Sequence, residues 1–426
     1  MVLARILVGG WCCYLLAGVV FGQSVPKPAP EQVRPVSLTN ATIHTGTGLV
    51  IERGTIVFAN GRITKIQEGE SPLAGSEIID CSGKHIYPGL IAPNTKLGLI
   101  EIEAARSTRD VAEVGRINAN VRAITAYNTD SRVTPTVRSN GILYAQIVPD
   151  GELILGLSSV VQLDAWSYEG AAFLTDVGLH IRLPAFSLYQ NAAVTPEEQR
   201  KKQFEAMQEV RNALVMATRY KQQRSAGDII DMRWEAMLPF LSGEKPVFLH
   251  AQDAQTITQS LLLAAEFNLK PVIVGGAESA QVISLLKSNK ASVILRPVHS
   301  LPPREDDPVT LSYQLPKILQ DTGVLYALSL EGMWNQRNLP FQAGTSAAYG
   351  LSKEQALQAI TLNAAKILGC SEKIGSLETG KEASLIVTSG DVLDMQESIV
   401  EIAFISGRKI NLINKQTDLY EKFKSR

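Results

Sequence analysis

Hydrophobic and polar residues alternate with a short period at both ends of the chain. Within residues 35–87, alternating runs are separated by glycine-containing turns, and Asn60-Gly61 lies between two of the runs. An Asn-Gly pair in that position is a strong signal for a β-hairpin. Residues 371–415 repeat the pattern in GSLETGKEASLIVTSGDV and SIVEIAFISGRKI. We therefore predict one small β-sandwich domain that is built from both chain ends.

The middle of the chain, residues 88–370, alternates short apolar strands with helical stretches. The clearest strands and helices lie at 246–250, 254–267, 271–274, 278–288, 292–296 and 324–328. Repeated strand–helix units favour a parallel α/β core, and at this length closure into a barrel is the economical form. The predicted fold class is therefore α/β, a (β/α)8 TIM-like barrel with the small β-sandwich beside it.

The N-terminus has a pattern of its own. Arg5 precedes an apolar run over residues 6–21, and a small residue, Gly22, follows. This arrangement is typical of a secretory signal, and the run is shorter than the roughly 20 residues of a membrane-spanning helix. We predict a signal peptide over residues 1–22, export to the periplasm or the medium, and no stable membrane span after cleavage. An uncleaved membrane anchor is the alternative.

Two short segments flank the predicted domains. Residues 23–34 are rich in proline and predict a disordered tether, and residues 416–426 are assigned to a C-terminal tail.

Outside the signal the chain keeps two cysteines, Cys81 and Cys370. In an oxidising compartment they form either one disulfide or two separate buried thiols.

Composition narrows the class of partner. The chain has 426 residues, 45% hydrophobic and 19% charged, with a formal net charge of −1. This is typical of a globular protein with a substantial core. No basic run interleaved with aromatic residues is present, so a nucleic-acid partner is excluded. The sequence leaves a homo-oligomer open.

Two distant parts of the sequence resemble one family. The segment GLSKEQALQAITLNAAKILGCSEKIGSLETGKEASLIV, residues 350–387, resembles the closing signature of amidohydrolases related to imidazolonepropionase. The runs GTIVFANGRITKI and GKHIYPGLIAP resemble the entry to their barrel, and residues 137–166 are similar to an exported branch. The resemblance implies hydrolysis of non-peptide C–N bonds with zinc or another divalent metal at the C-terminal mouth of the barrel.

The first strand of the barrel departs from that family. There the strand ends in two histidines one residue apart, and residues i and i+2 of a strand share a face, so the pair binds one ion. Here the corresponding residues are Asn94 and Lys96. An ammonium group has no lone pair and repels a divalent cation. We hypothesise that Lys96 stands where the ion stood and pairs with Glu331; the alternative is a loop lysine in water.

The resemblance also locates the other former ligand positions, which end strands 5, 6 and 8. They fall, in chain order, on His250, on Gly275 or Gly276, and on Glu331 or Ser329. The strand-4 position is not assigned, and His180 is the nearest polar candidate.

Three functional hypotheses follow. The first is a protein that keeps the fold but has lost the metal centre, and that is weakly active or only binds a small molecule in the barrel mouth. The alternative is an active hydrolase with one atypical metal held by His250 and Glu331. The third is metal-free catalysis by Lys96 as nucleophile or base, which needs a lowered pKa in a dry pocket. The candidate catalytic residues are Lys96 and Glu331. A bound metal lowers the pKa of its water from about 15.7 to about 7, roughly 12 kcal/mol of activation that these residues do not replace.

Overall fold

The computed structural model describes residues 27–188, 194–225, 229–302, 304, 306–424 and 426. The predicted signal peptide, residues 1–22, lies outside this part of the chain, as do residues 23–26 of the predicted tether. Within the described ranges, every helix is too short or too polar to cross a membrane.

The strands and helices follow each other in an order that separates the two domains. The strands are β1 (Val36–His44), β2 (Val50–Ala59), β3 (Arg62–Glu68), β4 (Glu77–Asp80), β5 (His85–Pro88), β6 (Leu90–Thr95), β7 (Ile142–Ile147), β8 (Ile154–Gln162), β9 (Ala172–Arg182), β10 (Pro246–Ala251), β11 (Lys270–Gly275), β12 (Ser292–Leu295), β13 (Tyr326–Leu328), β14 (Leu385–Thr388), β15 (Val400–Ile405) and β16 (Arg408–Lys409). The α-helices are α1 (Thr134–Arg138), α2 (Tyr168–Ala171), α3 (Pro196–Gln223), α4 (Met232–Leu241), α5 (Ala254–Glu266), α6 (Ile283–Ser288), α7 (Leu311–Thr322), α8 (Leu339–Ala348), α9 (Lys353–Ala359), α10 (Leu362–Ile367) and α11 (Lys415–Phe423). Short 3-10 helices lie at Arg106–Thr108, Ala123–Ala126, Ser279–Val282 and Trp334–Asn338.

Strands β6 to β13 form the barrel. They are hydrogen-bonded in chain order, and β13 returns close to β6, so the eight-stranded sheet is nearly closed. All six residues of β7 are buried, as expected for a strand covered on both faces. The predicted α/β barrel with a second sheet from both chain ends is confirmed.

One barrel strand departs from the predicted parallel order. Strand β8 runs antiparallel to both of its neighbours, β7 and β9. The connection from β7 to β8 is residues 148–153, which contain the turn Pro149-Asp150-Gly151, whereas a parallel crossover needs a dozen or more residues. The turn therefore lies at the carboxyl end of β7, where it delivers Asp150 to the barrel mouth.

The second sheet joins the two chain ends. Its strand order is β16-β15-β14-β5-β1-β2-β3, with β4 paired to β1, and the antiparallel pair β5–β14 connects the N-terminal and C-terminal strands. The predicted hairpin is confirmed: Asn60 and Gly61 have φ values of 50° and 76° between β2 and β3. This sheet has a small core of its own, which includes Leu38, Phe58 and Phe404.

The two flanking segments fold against the barrel. The Ala29 amide donates to Oδ2 of the buried Asp164 at 2.8 Å, so part of the predicted tether contacts the folded protein, and its disorder stays a prediction. That buried carboxylate gives the segment a fixed anchor, which the proline content did not reveal. Most of the predicted tail is helix α11, and its N-cap, Asn414, donates from Nδ2 to Ser139 Oγ at 2.9 Å.

The two cysteines are separate thiols. Cys81 lies in the second sheet's core and Cys370 follows α10, and both are free and buried. Burial raises the pKa of Cys81 to about 11 and that of Cys370 to about 12. Of the two alternatives left by the sequence, the structure has the buried thiols.

Candidate functional site

A cavity of about 530 Å³ opens at the end of the barrel where the parallel strands finish. Carboxyl ends of parallel barrel strands converge there, so residues that end different strands share one space. The polar residues that line it are Asn94, Lys96, Asp150, Arg182, His250, Gln252, Asp253, Thr256, Arg296, Ser329 and Glu331, with Gly275 between them. The structure thus brings together all of the predicted positions, which are Asn94, Lys96, His250, Gly275 and Glu331.

Lys96 lies inside the cavity but has different partners from those predicted. Its Nζ donates to the backbone carbonyls of Val148 and Pro149, at 2.8 Å each. Glu331 is exposed at the rim and forms no ion pair with Lys96, so the predicted pairing is wrong. The β7–β8 turn places two carbonyl oxygens next to the ammonium, and these satisfy it. Ser329, the other candidate at that strand end, also lines the cavity, and its hydroxyl donates to a carbonyl of β12.

Three charged side chains of the cavity, Lys96, Asp150 and Arg182, interact with one another. Burial lowers the pKa of Lys96 to about 8; the Asp150 carboxylate opposes this effect and the Arg182 guanidinium adds to it. Arg182 donates to the Gly151 carbonyl at 2.8 Å and forms an ion pair of 2.8 Å with Asp150. Burial alone would raise the pKa of Asp150, but Lys96 and Arg182 outweigh it and lower the pKa below its usual range. The charge of Arg182 is therefore neutralised within the protein.

A buried hydrogen-bond chain begins at the backbone of Asn94. The backbone amide of Asn94 donates to Gln146 Oε1 at 3.0 Å. Since only the oxygen of the Gln146 side chain accepts a hydrogen bond, this contact distinguishes Oε1 from Nε2. Gln146 Nε2 must then be the donor to Ser158 Oγ at 2.9 Å and to His180 Nε2 at 3.4 Å. His180 is fully buried and stacks on Phe248, with ring centroids 4.6 Å apart. Its position in the barrel interior is thus held from two sides.

The same hydrogen-bond chain determines which ring nitrogen of His250 carries its proton. Because His180 accepts at Nε2, its proton is on Nδ1, and it donates to His250 Nε2 at 3.0 Å. His250 then carries its own proton on Nδ1, so neither of its nitrogens has a free lone pair. Burial, with the Arg182 and Lys96 cations, lowers the pKa of His250 to about 3. Burial and His250 also place the pKa of His180 well below its ordinary value, so both rings are neutral at neutral pH.

The strand-6 position has no side chain because its backbone conformation favours glycine. Gly275 has a φ of 109°, which L side chains rarely adopt. A Cβ atom there would lie 2.5 Å from Gln252 Nε2. The Gln252 side chain therefore occupies the space into which a strand-6 side chain would project. Gly276, the alternative registration, does not line the cavity.

Sequence reasoning missed three residues of the site. Arg182 ends β9, the fourth barrel strand, two residues after His180, so both fall on one strand face and Arg182 fills the unassigned strand-4 position. A polar pair inside the apolar run GLHIRL was the available signal. The Pro-Asp-Gly turn was the signal for Asp150. Arg296 directly follows β12. Its position after an apolar strand was the available signal that it lies at the barrel mouth.

Comparison with known proteins agrees with this architecture. The amidohydrolase family profile matches residues 266–410. An imidazolonepropionase of Thermoplasma volcanium is 23% identical over 384 residues, covering 84% of this chain and 89% of that protein. One from Erwinia tasmaniensis is 33% identical over 145 residues, 32% of this chain and 34% of its own length. The solved structure of an amidohydrolase from Thermotoga maritima MSB8 superposes with a TM-score of 0.76 at 24% identity, covering 88% of this chain and 99% of that one.

These matches agree on the fold. Over most of its length the chain is similar to imidazolonepropionases, and it has the fold of a solved amidohydrolase.

The residues at the family's metal-ligand positions do not fit a divalent cation. His250 has no available lone pair, and Gly275 has no side chain. Lys96 offers a lone pair only after losing a proton, which at neutral pH costs about 1.4 kcal/mol given its pKa of about 8. Glu331 remains as a single carboxylate at the exposed rim, whereas a catalytic zinc takes three protein ligands. In the described part of the chain, His, Cys, Asp and Glu form no group of three or more that is arranged to hold a metal ion.

Proposed function

We propose that this protein is an amidohydrolase-fold binding protein that holds a small molecule in the barrel mouth without a hydrolytic metal centre, and that its hydrolytic activity is weak or absent. One observation supports the proposal most strongly. The former ligand positions offer hydrogen-bond donors, the Lys96 ammonium and the His250 Nδ1–H, where a metal needs lone pairs.

Electrostatics support the same conclusion. A divalent ion about 4 Å from an ammonium is repelled by about 8 kcal/mol at an effective dielectric near 20, since a pair of unit charges interacts by about 4 kcal/mol there. Deprotonation of Lys96 removes this repulsion at small cost, but it supplies one ligand only. The missing lone pair of His250 is therefore the larger obstacle, because freeing it requires rearrangement of the buried chain to Gln146.

The alternative of one atypical metal held by His250 and Glu331 gains no support from this geometry. His250 Nε2 accepts from His180, and Glu331 lies at the rim. The assignment of Lys96 and Glu331 as catalytic residues stays a prediction. Activity measurements on Lys96→Met and Glu331→Gln would test it.

The proposal is tested by metal content together with activity. The purified protein is incubated with zinc, desalted and analysed by elemental mass spectrometry, and hydrolysis is scanned across cyclic amides and dipeptides. We expect less than one zinc per chain and no activity that a chelator removes. Stoichiometric zinc, lost together with activity on chelation, would contradict the proposal.

A gain-of-ligand variant sharpens this test. Substituting Asn94→His and Lys96→His together restores a histidine pair at the end of β6, and zinc affinity should rise. Lys96→Met is the matched control, because it removes the amine without adding a ligand. If the double variant binds zinc no better than the control, these positions do not correspond to the family's ligand pair.

We also propose that the protein is exported. The apolar run at residues 6–21 and the small residue Gly22 support this proposal. Expression with its own N-terminus, cell fractionation and N-terminal sequencing test it. Recovery of the full-length chain in the cytoplasm would contradict export.

A further inference from the structure

Arg296 lines the cavity without an ion-pair partner among the residues that the structure describes. Its backbone amide bonds to the Gly275 carbonyl at 2.9 Å, which fixes the residue at the end of β12. Its side chain belongs to a residue that lines the cavity, and among the described residues it forms no ion pair, while the buried Nε has no hydrogen-bond partner. A cation that lines a cavity and has no anionic partner in the protein favours the binding of an anion there.

The other cations of the cavity already have partners. Arg182 is paired with Asp150, and Lys96 uses two of its three N–H groups on backbone carbonyls. His250 adds a neutral donor, since its Nδ1–H has no partner among the described residues. The interior of the site therefore offers unused donors, and it carries the positive charge of three cations, Lys96, Arg182 and Arg296.

The acidic groups do not cancel that charge. Asp150 is paired with Arg182, and Asp253 accepts from the Thr256 amide at 2.9 Å and the Thr256 hydroxyl at 2.6 Å at the start of α5. Glu331 is exposed at the rim, where water screens it more than it screens a group inside the cavity. Among the described residues below the rim, three cations thus face the two carboxylates of Asp150 and Asp253, and one net positive charge remains.

We propose that the ligand is an organic carboxylate whose oxygens accept hydrogen bonds from the Arg296 guanidinium. This inference rests on the proposed function, because a bound metal would change the charge of the site. A planar guanidinium matches a carboxylate with two parallel N–H···O bonds. A single unpaired cation fits a monoanion better than a phosphate dianion. The Gln252 amide lies over Gly275, lines the same cavity and offers a further donor.

The test compares acids with their own amides. Calorimetry and thermal shift are measured with a panel of small carboxylic acids, each paired with its primary amide, and with inorganic phosphate. We expect acids to bind and their amides to bind at least tenfold more weakly. Arg296→Gln, which removes the charge, should weaken acid binding at least tenfold, and Arg296→Lys should restore part of it. Arg233→Gln is the matched control, because Arg233 forms its ion pair with Asp231 at the surface.

The outcomes separate this inference from the proposed function. Equal binding of acids and amides, tighter binding of phosphate, an unaffected Arg296→Gln variant or no acid binding at millimolar concentration each overturns the carboxylate assignment and leaves metal-free binding standing. Stoichiometric zinc in the same preparation overturns the proposed function itself. Glu331→Gln should bind acids as well as the wild type or better, because it removes a negative charge from the rim.

Discussion

The pH dependence of stability tests the placement of Lys96 directly. Its pKa is about 8 in the folded protein, against an ordinary value of 10.5, because the amine is buried. Below about pH 8 both the folded and the unfolded chain hold this proton, so the group adds no slope to stability. Between about pH 8 and about 10.5 the unfolded chain binds more protons, so raising the pH favours the folded state.

The magnitude follows from the two pKa values. At about 1.36 kcal/mol per pH unit, the difference between 10.5 and about 8 corresponds to about 3 kcal/mol in total. About 2.5 kcal/mol of this should appear between about pH 7 and about pH 10. Other groups also titrate in this range, so the comparison needs a variant that lacks only this amine.

Lys96→Met is that variant. It removes the titrating group and leaves the two carbonyl oxygens of the turn without their donor, so it should be less stable than the wild type at high pH. The assay is urea unfolding of both proteins at several pH values. We expect the free energy of unfolding of the wild type, minus that of Lys96→Met, to rise by about 2.5 kcal/mol from about pH 7 to about pH 10. A flat difference would refute the buried ammonium.

Three further predictions follow from the structure. Neither His180 nor His250 should titrate between about pH 5 and about pH 8, and nitrogen NMR should show both rings protonated on Nδ1. A titration midpoint near pH 6.5 for either histidine would contradict the buried hydrogen-bond chain. Gly275→Ala and Gly323→Ala should each cost roughly 1–3 kcal/mol in chemical denaturation because both glycines have positive φ. Only Gly275→Ala should also change ligand binding, since a Cβ at Gly323 meets open space. If the two variants bind ligand equally well, the cavity is not the binding site. Asp164→Asn should lose about 3–5 kcal/mol of stability, because two buried arginines lose their shared carboxylate; a loss below about 1 kcal/mol would show that the arginines are solvated.

The barrel was predictable because its signals are local. Apolar strands such as Pro246–Ala251 and the helices after them are encoded within short windows of sequence. The antiparallel direction of β8 was not predicted, although the connection through Pro149-Asp150-Gly151 is short. Connection length was the signal that distinguishes the two directions.

The contents of the cavity were only partly predictable. The family resemblance identified the strand-end positions that meet, so Asn94, Lys96 and His250 were found from sequence. The partner of Lys96 was not, because which oxygen lies within 3 Å depends on the conformation of a turn that is about fifty residues away in sequence. The proton on His250 depends on Gln146 and His180, whose contacts exist only after the barrel closes.

The central claim is that hydrogen-bond donors stand where relatives of this fold place a metal. An experimental crystal structure of protein grown with zinc, measured on both sides of the zinc absorption edge, tests it most directly. We expect no anomalous peak in the cavity, with Lys96 Nζ bonded to the carbonyls of Val148 and Pro149. A zinc peak coordinated by His250 and Glu331 would contradict the account.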